Sequence, residues 1–200
     1  MFAEWSIECG ADDPVLVVPW TASPEEISGP QLGPRFIDLR ENPYDLDQIP
    51  ETELHPPLLQ ALRALNANRS PVFTAKCDAW AMDAEEVEAL SLHLMPEMEL
   101  AHGFMSYLDV LWRERGVFVS LHQHEQMLHR LVRHAEALDL PDAALECTVR
   151  PALVDLTGPQ EGFAVTLYVK ALGPDAEDAY RNWGEALAAV VALVRKHFTA

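Results

Sequence analysis

Leu145-Glu146-Cys147-Thr148-Val149-Arg150 and Phe163-Ala164-Val165-Thr166-Leu167-Tyr168-Val169-Lys170 are the two stretches from which the fold is read. Both carry apolar and polar side chains in a period of two, the pattern of a half-buried strand. The segment Thr157-Gly158-Pro159-Gln160-Glu161-Gly162 between them is turn chemistry, so the spacing predicts strands over 145–155 and 163–172 joined as a hairpin. Cys147, Val149, Val165, Leu167 and Val169 then face a core, and Thr148, Arg150, Thr166, Tyr168 and Lys170 form a polar strip on the other side.

Helices flank this hairpin. Pro174-Asp175 opens a long one, with Tyr180, Trp183, Leu187, Val190, Val191, Val194 and Phe198 on one arc and Arg195, Lys196 and His197 at its end, where cations suit the dipole. Gly184 in its middle is read as a place of close packing. Upstream, Ser120 is a candidate cap for a helix running to about Leu138. Two further strands are expected over Val72–Trp80 and Phe104–Trp112. A short helix from about Pro57 to Ala67 precedes the first, and one opened by the Asp83-Ala84-Glu85-Glu86 capping box lies between them. Pro96 and Gly103 bracket a loop after that helix.

At the amino end, Glu4-Trp5-Ser6-Ile7-Glu8-Cys9 and Pro14-Val15-Leu16-Val17-Val18 flank the turn Gly10-Ala11-Asp12-Asp13, the signature of another hairpin. Eight of the fifteen prolines lie between Pro19 and Pro57, yet Phe36, Ile37, Leu39, Tyr44 and Leu46 interrupt that run. This composition predicts an ordered irregular segment laid over the body.

The expected architecture is a single α+β domain over residues 1–200: an N-terminal hairpin (1–20), a Pro-rich acidic segment (21–56) and a main body (57–200). Its sheet is expected to be mainly antiparallel, with the long helices on one face and ferredoxin-like split β-α-β elements in the middle.

The 200 residues hold 32 acids and 14 bases, net −18. A surface so negative repels phosphate backbones and anionic lipid, so neither nucleic acid nor a membrane is expected as partner. The acid is uneven, with 12 acids against 2 bases in residues 1–57. That stretch is therefore expected either to cover the basic-tipped hairpin face or to meet a partner. Cys9, Cys77 and Cys147 are odd in number and form no CxxC, the usage of a reducing compartment, and no signal peptide precedes them, so a cytoplasmic location is expected.

Motifs for phosphate loops, dinucleotides, nucleophile elbows and paired zinc ligands are absent from the sequence, and no metal or cofactor is expected. The histidine-rich stretch His122-Gln123-His124-Glu125 … His129 does not read as a metalloprotease helix, because His124 and His129 are roughly 140° apart around the axis. His122 and His129 share a face but sit about 10 Å apart along it. His124 differs, falling inside the apolar arc of Leu121, Leu128 and Leu131. It is read first as a core histidine, with the alternative that it faces a cavity as a general base beside Glu125.

Asp78 and Asp109 lie within apolar alternating runs. On neighbouring strands they would share a face as an acid/base pair or a hard-cation site, or else meet solvent or a cation such as Lys76 or Arg150. Trp80 and Trp112 are expected to join Arg150, Tyr168 and Lys170 on the exposed sheet surface.

Two functions follow as expectations. The first is a non-enzymatic module that binds a protein partner or its own copies through the open sheet face. The second is a hydrolase or small-ligand enzyme with one cavity around His124/Glu125 and Asp78/Asp109.

Overall fold

In the computed structural model, residues 1–21, 35–42, 44–94 and 102–198 are described. The expected breakers between Pro24 and Pro34, Pro43, and the loop around Pro96 lie outside these residues.

The strands are β1 (Phe2–Ile7), β2 (Leu16–Val18), β3 (Val72–Ala81), β4 (His102–Trp112), β5 (Ala143–Val154) and β6 (Gln160–Gly173). The helices are α1 (Pro50–Leu54), α2 (Pro56–Asn66), α3 (Ala84–Leu94), α4 (Arg115–Phe118), α5 (Leu121–Glu136) and α6 (Ala176–His197), with a 3-10 turn at Asp45–Gln48. All strands join one sheet in the order β1-β5-β6-β4-β3, and β2 also pairs with β5.

This sheet is mixed rather than mainly antiparallel. β3, β4, β6 and β5 are successively antiparallel, but β1 and β2 both run parallel to β5. The expected N-terminal hairpin therefore does not form. The turn is present, with Asp13 N–H donating to the Gly10 carbonyl at 3.2 Å. It offsets two collinear segments instead: β1 matches residues 144–149 and β2 matches 152–154 of the same strand. Pairing with a long buried strand gives each segment a full ladder and a packed face, which a three-residue hairpin arm lacks.

The helix starts follow their local chemistry. Ser120 accepts from Gln123 N–H at 3.3 Å and Asp175 from Asp178 N–H at 2.8 Å. At α3, Asp83 accepts from Glu86 N–H while Glu86 returns the bond to Asp83 N–H, each at 2.9 Å, which completes the capping box.

Two layers of side chains follow from the register. Phe104, Ser106, Leu108, Val110 and Trp112 of β4 match Val165, Leu167 and Val169 of β6 and Cys147 and Val149 of β5 beneath α2, α5 and α6. Trp183 of α6 reaches through this layer to donate its indole N–H to Ser106 Oγ at 2.9 Å. Gly184 lets α6 approach α2, since an added Cβ would lie 3.2 Å from Pro57.

The opposite face is covered at both ends. Val87 and Leu90 of α3 pack on Ala144, Leu172 and Phe2, and Gly103 leaves the space for Met82 and Val87. At the far end Leu39 is buried and the Arg40 guanidinium lies 4.3 Å over the Phe73 ring. Trp20 donates its indole N–H to Ala75 O at 2.8 Å, so the chain after β2, on one edge of the sheet, reaches β3 on the other.

A bulge interrupts β3. Thr74 opposes Val110 and Cys77 opposes Leu108, so three residue steps match two. Strict alternation over this strand would set Phe73, Ala75, Cys77 and Ala79 on one face and Thr74, Lys76, Asp78 and Trp80 on the other; the bulge instead puts Phe73, Asp78 and Trp80 on the second face and Thr74, Cys77 and Ala79 toward the helices.

Gly173 sits where β6 turns into α6, and an added Cβ would meet the backbone of Asp178 and Ala179. Because backbone cannot step aside as a flexible side chain does, Gly173→Ala is expected to lower unfolding free energy by roughly 1–3 kcal/mol in urea titration. A loss of only a few tenths would show that the close approach is not maintained.

Candidate functional site

His124 projects from the buried arc of α5 and is 0% exposed. Its Nδ1 lies 2.9 Å from the Ser120 carbonyl, which fixes Nδ1 as the protonated, donating nitrogen. The ring meets Trp112 edge-on at 4.4 Å and Phe163 at 5.8 Å. Burial pushes the imidazole's proton affinity down. The Ser120 carbonyl and the nearby Phe163 backbone act in the other direction, although Nε2 has no partner at hydrogen-bond geometry. His124 is thus a neutral core histidine tied to its own helix.

Glu125 does not join it. That half-buried carboxylate lies 3.5 Å from Nδ1 of exposed His122. With Trp5, Gln126, His129 and Arg130 it lines a shallow hollow of about 440 Å³ beside β1. Among the described residues no cluster of three His, Cys, Asp or Glu is arranged to hold a metal.

The second face carries more chemistry. Its register sets side chains in rows across the sheet. One row runs Asp109–Thr166–Thr148–Ser6 and the next Asp78–Tyr107–Tyr168–Glu146–Glu4. In the first, Thr166 donates its hydroxyl to Asp109 at 2.5 Å, and the Ser6 and Thr148 hydroxyls lie 3.4 Å apart. Asp109 is 4% exposed. Burial raises its carboxyl above the ordinary aspartate range, opposed by the Thr166 hydrogen bond and by the charges of Arg150 and Lys76.

In the second row Tyr107 stands between Trp80 and Tyr168, at ring separations of 6.2 and 6.3 Å. Burial, then the Asp109 and Asp78 carboxylates, push the Tyr107 phenol up. Asp78 accepts from Ala79 N–H at 2.7 Å. Lys170 pairs with Glu146 at 2.6 Å and lies 5.9 Å over the Tyr168 ring, while Arg150 reaches Glu8 at 3.4 Å with its Nε buried and unpartnered.

The fold therefore brings Asp78, Asp109, Trp80, Arg150, Tyr168 and Lys170 to one face. His124 stands on the other, and the sheet lies between it and Asp109. Trp112 is not part of the exposed surface: it belongs to the helix-facing set of β4, is 3% exposed, and packs on His124 and Phe198. Thiol chemistry is disfavoured at half-buried Cys77 and buried Cys147, since burial and then Glu51, Asp78 and Asp109 push Cys77 up to about 12, and burial raises Cys147 as well.

Sequence reasoning passed over a cavity of about 420 Å³ at the β3 edge, where Trp20, Ile37, Leu39 and Ile49 face Lys76 and Cys77. Its signal was present in the apolar residues scattered through the Pro-rich stretch. No known family model and no curated protein matches this chain.

Two titrations test this description. Asp109 binds its proton more tightly folded than unfolded, so its ionisation costs stability as pH rises through the folded value. Asp109→Asn keeps an acceptor for Thr166 and is expected to stabilise the protein at pH 7 by about 1 kcal/mol, the gain vanishing below about pH 4. An unchanged or lower urea midpoint at pH 7 would contradict this. His124 has the opposite sense: its folded proton affinity is lowered, so stability is held above about pH 6.5 and declines as the unfolded chain takes up the proton below it. His124→Phe should flatten the fall in the urea midpoint between about pH 7 and 5. An equally steep fall in the variant would mean that His124 is not held neutral.

Proposed function

We propose that this protein is a non-enzymatic self-association module, and that its second sheet face docks against another copy of the chain. The observation that carries this reading is the row between α3 and Leu39-Arg40, where Trp80, Tyr107 and Tyr168 form a half-exposed aromatic ladder beside the buried Asp109 and Thr166. Tyrosine and tryptophan give large contact area at low entropic cost and are enriched where proteins meet. The charge pattern also favours this face. In a chain of net −18, two of the three lysines and Arg150 fall on or beside it, and Lys170 and Arg150 are held in ion pairs. These cations offset part of the charge of Asp78, Glu146, Glu4 and Glu8 on the same face, which lowers the local repulsion between copies.

The enzyme alternative draws less support, since its four residues do not converge. Two finer readings belong here as well. β4 and β5 run in the same direction with β6 between them and α5 connecting them, which supports a ferredoxin-like split β-α-β relationship. Three unpaired cysteines support a cytoplasmic setting, and no described helix is long and apolar enough to cross a membrane.

Sedimentation velocity over roughly 1–100 μM is expected to show a reversible shift from monomer to dimer. Trp80→Ala and Tyr168→Ala should each weaken association by about tenfold or more, as truncation of a central aromatic does. Leu54→Ala, a change at an exposed position on α1, should leave it unaltered. A chain that stays monomeric at the highest concentration removes this function.

A further inference from the structure

A second cavity, of about 320 Å³, opens at the end of the sheet where β4 leads into α4 and the β5–β6 loop folds over. Three arginines line it, Arg40, Arg113 and Arg115, and no acid does. That is three of the chain's eleven arginines in one small concavity of a protein whose net charge is −18. The rest of its lining is mixed, with apolar surface from Phe118, Val154 and Leu156 beside Thr157 and Gln160.

The three guanidinium groups are differently committed. Arg40 is held by Asp38 through a fork, Nε to Oδ1 at 2.8 Å and Nη2 to Oδ2 at 2.6 Å. Arg113 spends Nε on Val72 O at 3.0 Å and Nη2 on Asn66 O at 2.9 Å, both neutral acceptors, so its charge is not cancelled there. Burial and the neighbouring Arg40 charge both weaken Arg113's hold on its proton, so the two guanidinium groups feel one another. Arg115 is exposed, and its guanidinium makes no hydrogen bond or ion pair within the described residues. Among the described residues, Asp38 on Arg40 is the one carboxylate paired with these three cations. Trp112, 3% exposed, also lines the cavity, and its buried indole N–H has no hydrogen-bond partner among the described residues. Buried N–H groups are nearly always satisfied, so an open one is uncommon.

From this we infer that the cavity binds a small organic anion, a carboxylate or phosphate group carried on a flat apolar body. Arg113 and Arg115 hold the oxyanion through guanidinium N–H donors, and Phe118, Val154 and Leu156 meet the body. The volume is at the small end for ligand sites, which limits the body to about one ring. A nucleic-acid strand is not the occupant, because the surrounding surface repels an extended phosphate backbone. The site is separate from the aromatic band and does not depend on self-association.

Isothermal titration calorimetry of the full chain with benzoate, phenyl phosphate, inorganic phosphate and benzylamine tests it. At least one aromatic anion is expected to bind with Kd below about 1 mM, and the tighter of the two identifies carboxylate or phosphate as the natural group. Inorganic phosphate should bind at least about tenfold more weakly than the preferred aromatic anion, and benzylamine should give no binding heat. Arg115→Ala, at an exposed position where the fold is not at stake, should weaken the aromatic anion by about tenfold or more. Arg63→Ala, at an exposed position on α2, should not. Failure of both aromatic anions at 10 mM, equal affinity for inorganic phosphate, binding of benzylamine, or an unaltered Arg115→Ala variant would each overturn the inference.

Discussion

The position of β6 between β4 and β5 is the constraint on which the other features depend. Its register sets Val165, Leu167 and Val169 under α6 and Thr166, Tyr168 and Lys170 on the reverse side. A slip of one residue would exchange those sets and place a lysine and two hydroxyls beneath Trp183. Both neighbours enforce the same alignment. Asp109 accepts from Thr166 across β4–β6, while Lys170 pairs with Glu146 across β5–β6. Polar contacts on the second face thus hold the apolar layer in place, and the two faces stabilise one register together.

The same alignment creates the cost at Asp109. A strand buried on both faces normally carries apolar residues throughout. β4 comes close to that, with only His102 exposed and Tyr107 half-buried along its length. Asp109 sits in the middle of such a strand with one hydroxyl, among the described residues, as its hydrogen-bond donor. The bulge at Thr74–Cys77 lies opposite this position, and it turns Asp78 onto the same face as Tyr107. Bulges re-aim side chains, and this one gathers carboxylates and aromatic rings that a regular strand would separate.

Local signals made much of this readable. The caps of α3, α5 and α6 act between residues three apart, so sequence shows donor and acceptor together. The β5–β6 hairpin is equally local. The pairing of β1 and β2 is not, because alternation reveals a half-buried strand without naming its neighbour, and the partner lies some 140 residues away. Trp112 was misplaced for a related reason. Leu111 and Trp112 are both buried, so adjacent apolar residues leave the parity of the strand undefined. The bulge added a further shift that hydrophobicity alone does not record. Asp78 and Asp109 were legible as a possible pair, whereas the isolation of His124 depended on which face α5 covers.

The distribution of charge then takes a structural meaning. Acids dominate the first 57 residues, and several basic groups are placed at joints within the fold instead of being spread to offset them. Arg113 ties the end of α2 to the start of β3 through two carbonyls, and Arg40 caps the Phe73 ring where the Pro-rich segment crosses. Arg150 draws Glu8, beyond the end of β1, toward β5. Guanidinium suits these positions because its planar fork bonds carbonyls and stacks on rings while remaining charged. With 11 arginines and three lysines, the chain has the cation suited to joints in excess over the cation suited to solvent. Net acidity sets a general repulsion between molecules, which only a local patch of favourable contacts can overcome, and the few positive charges act locally, where a short distance and partial burial make each of them count for more.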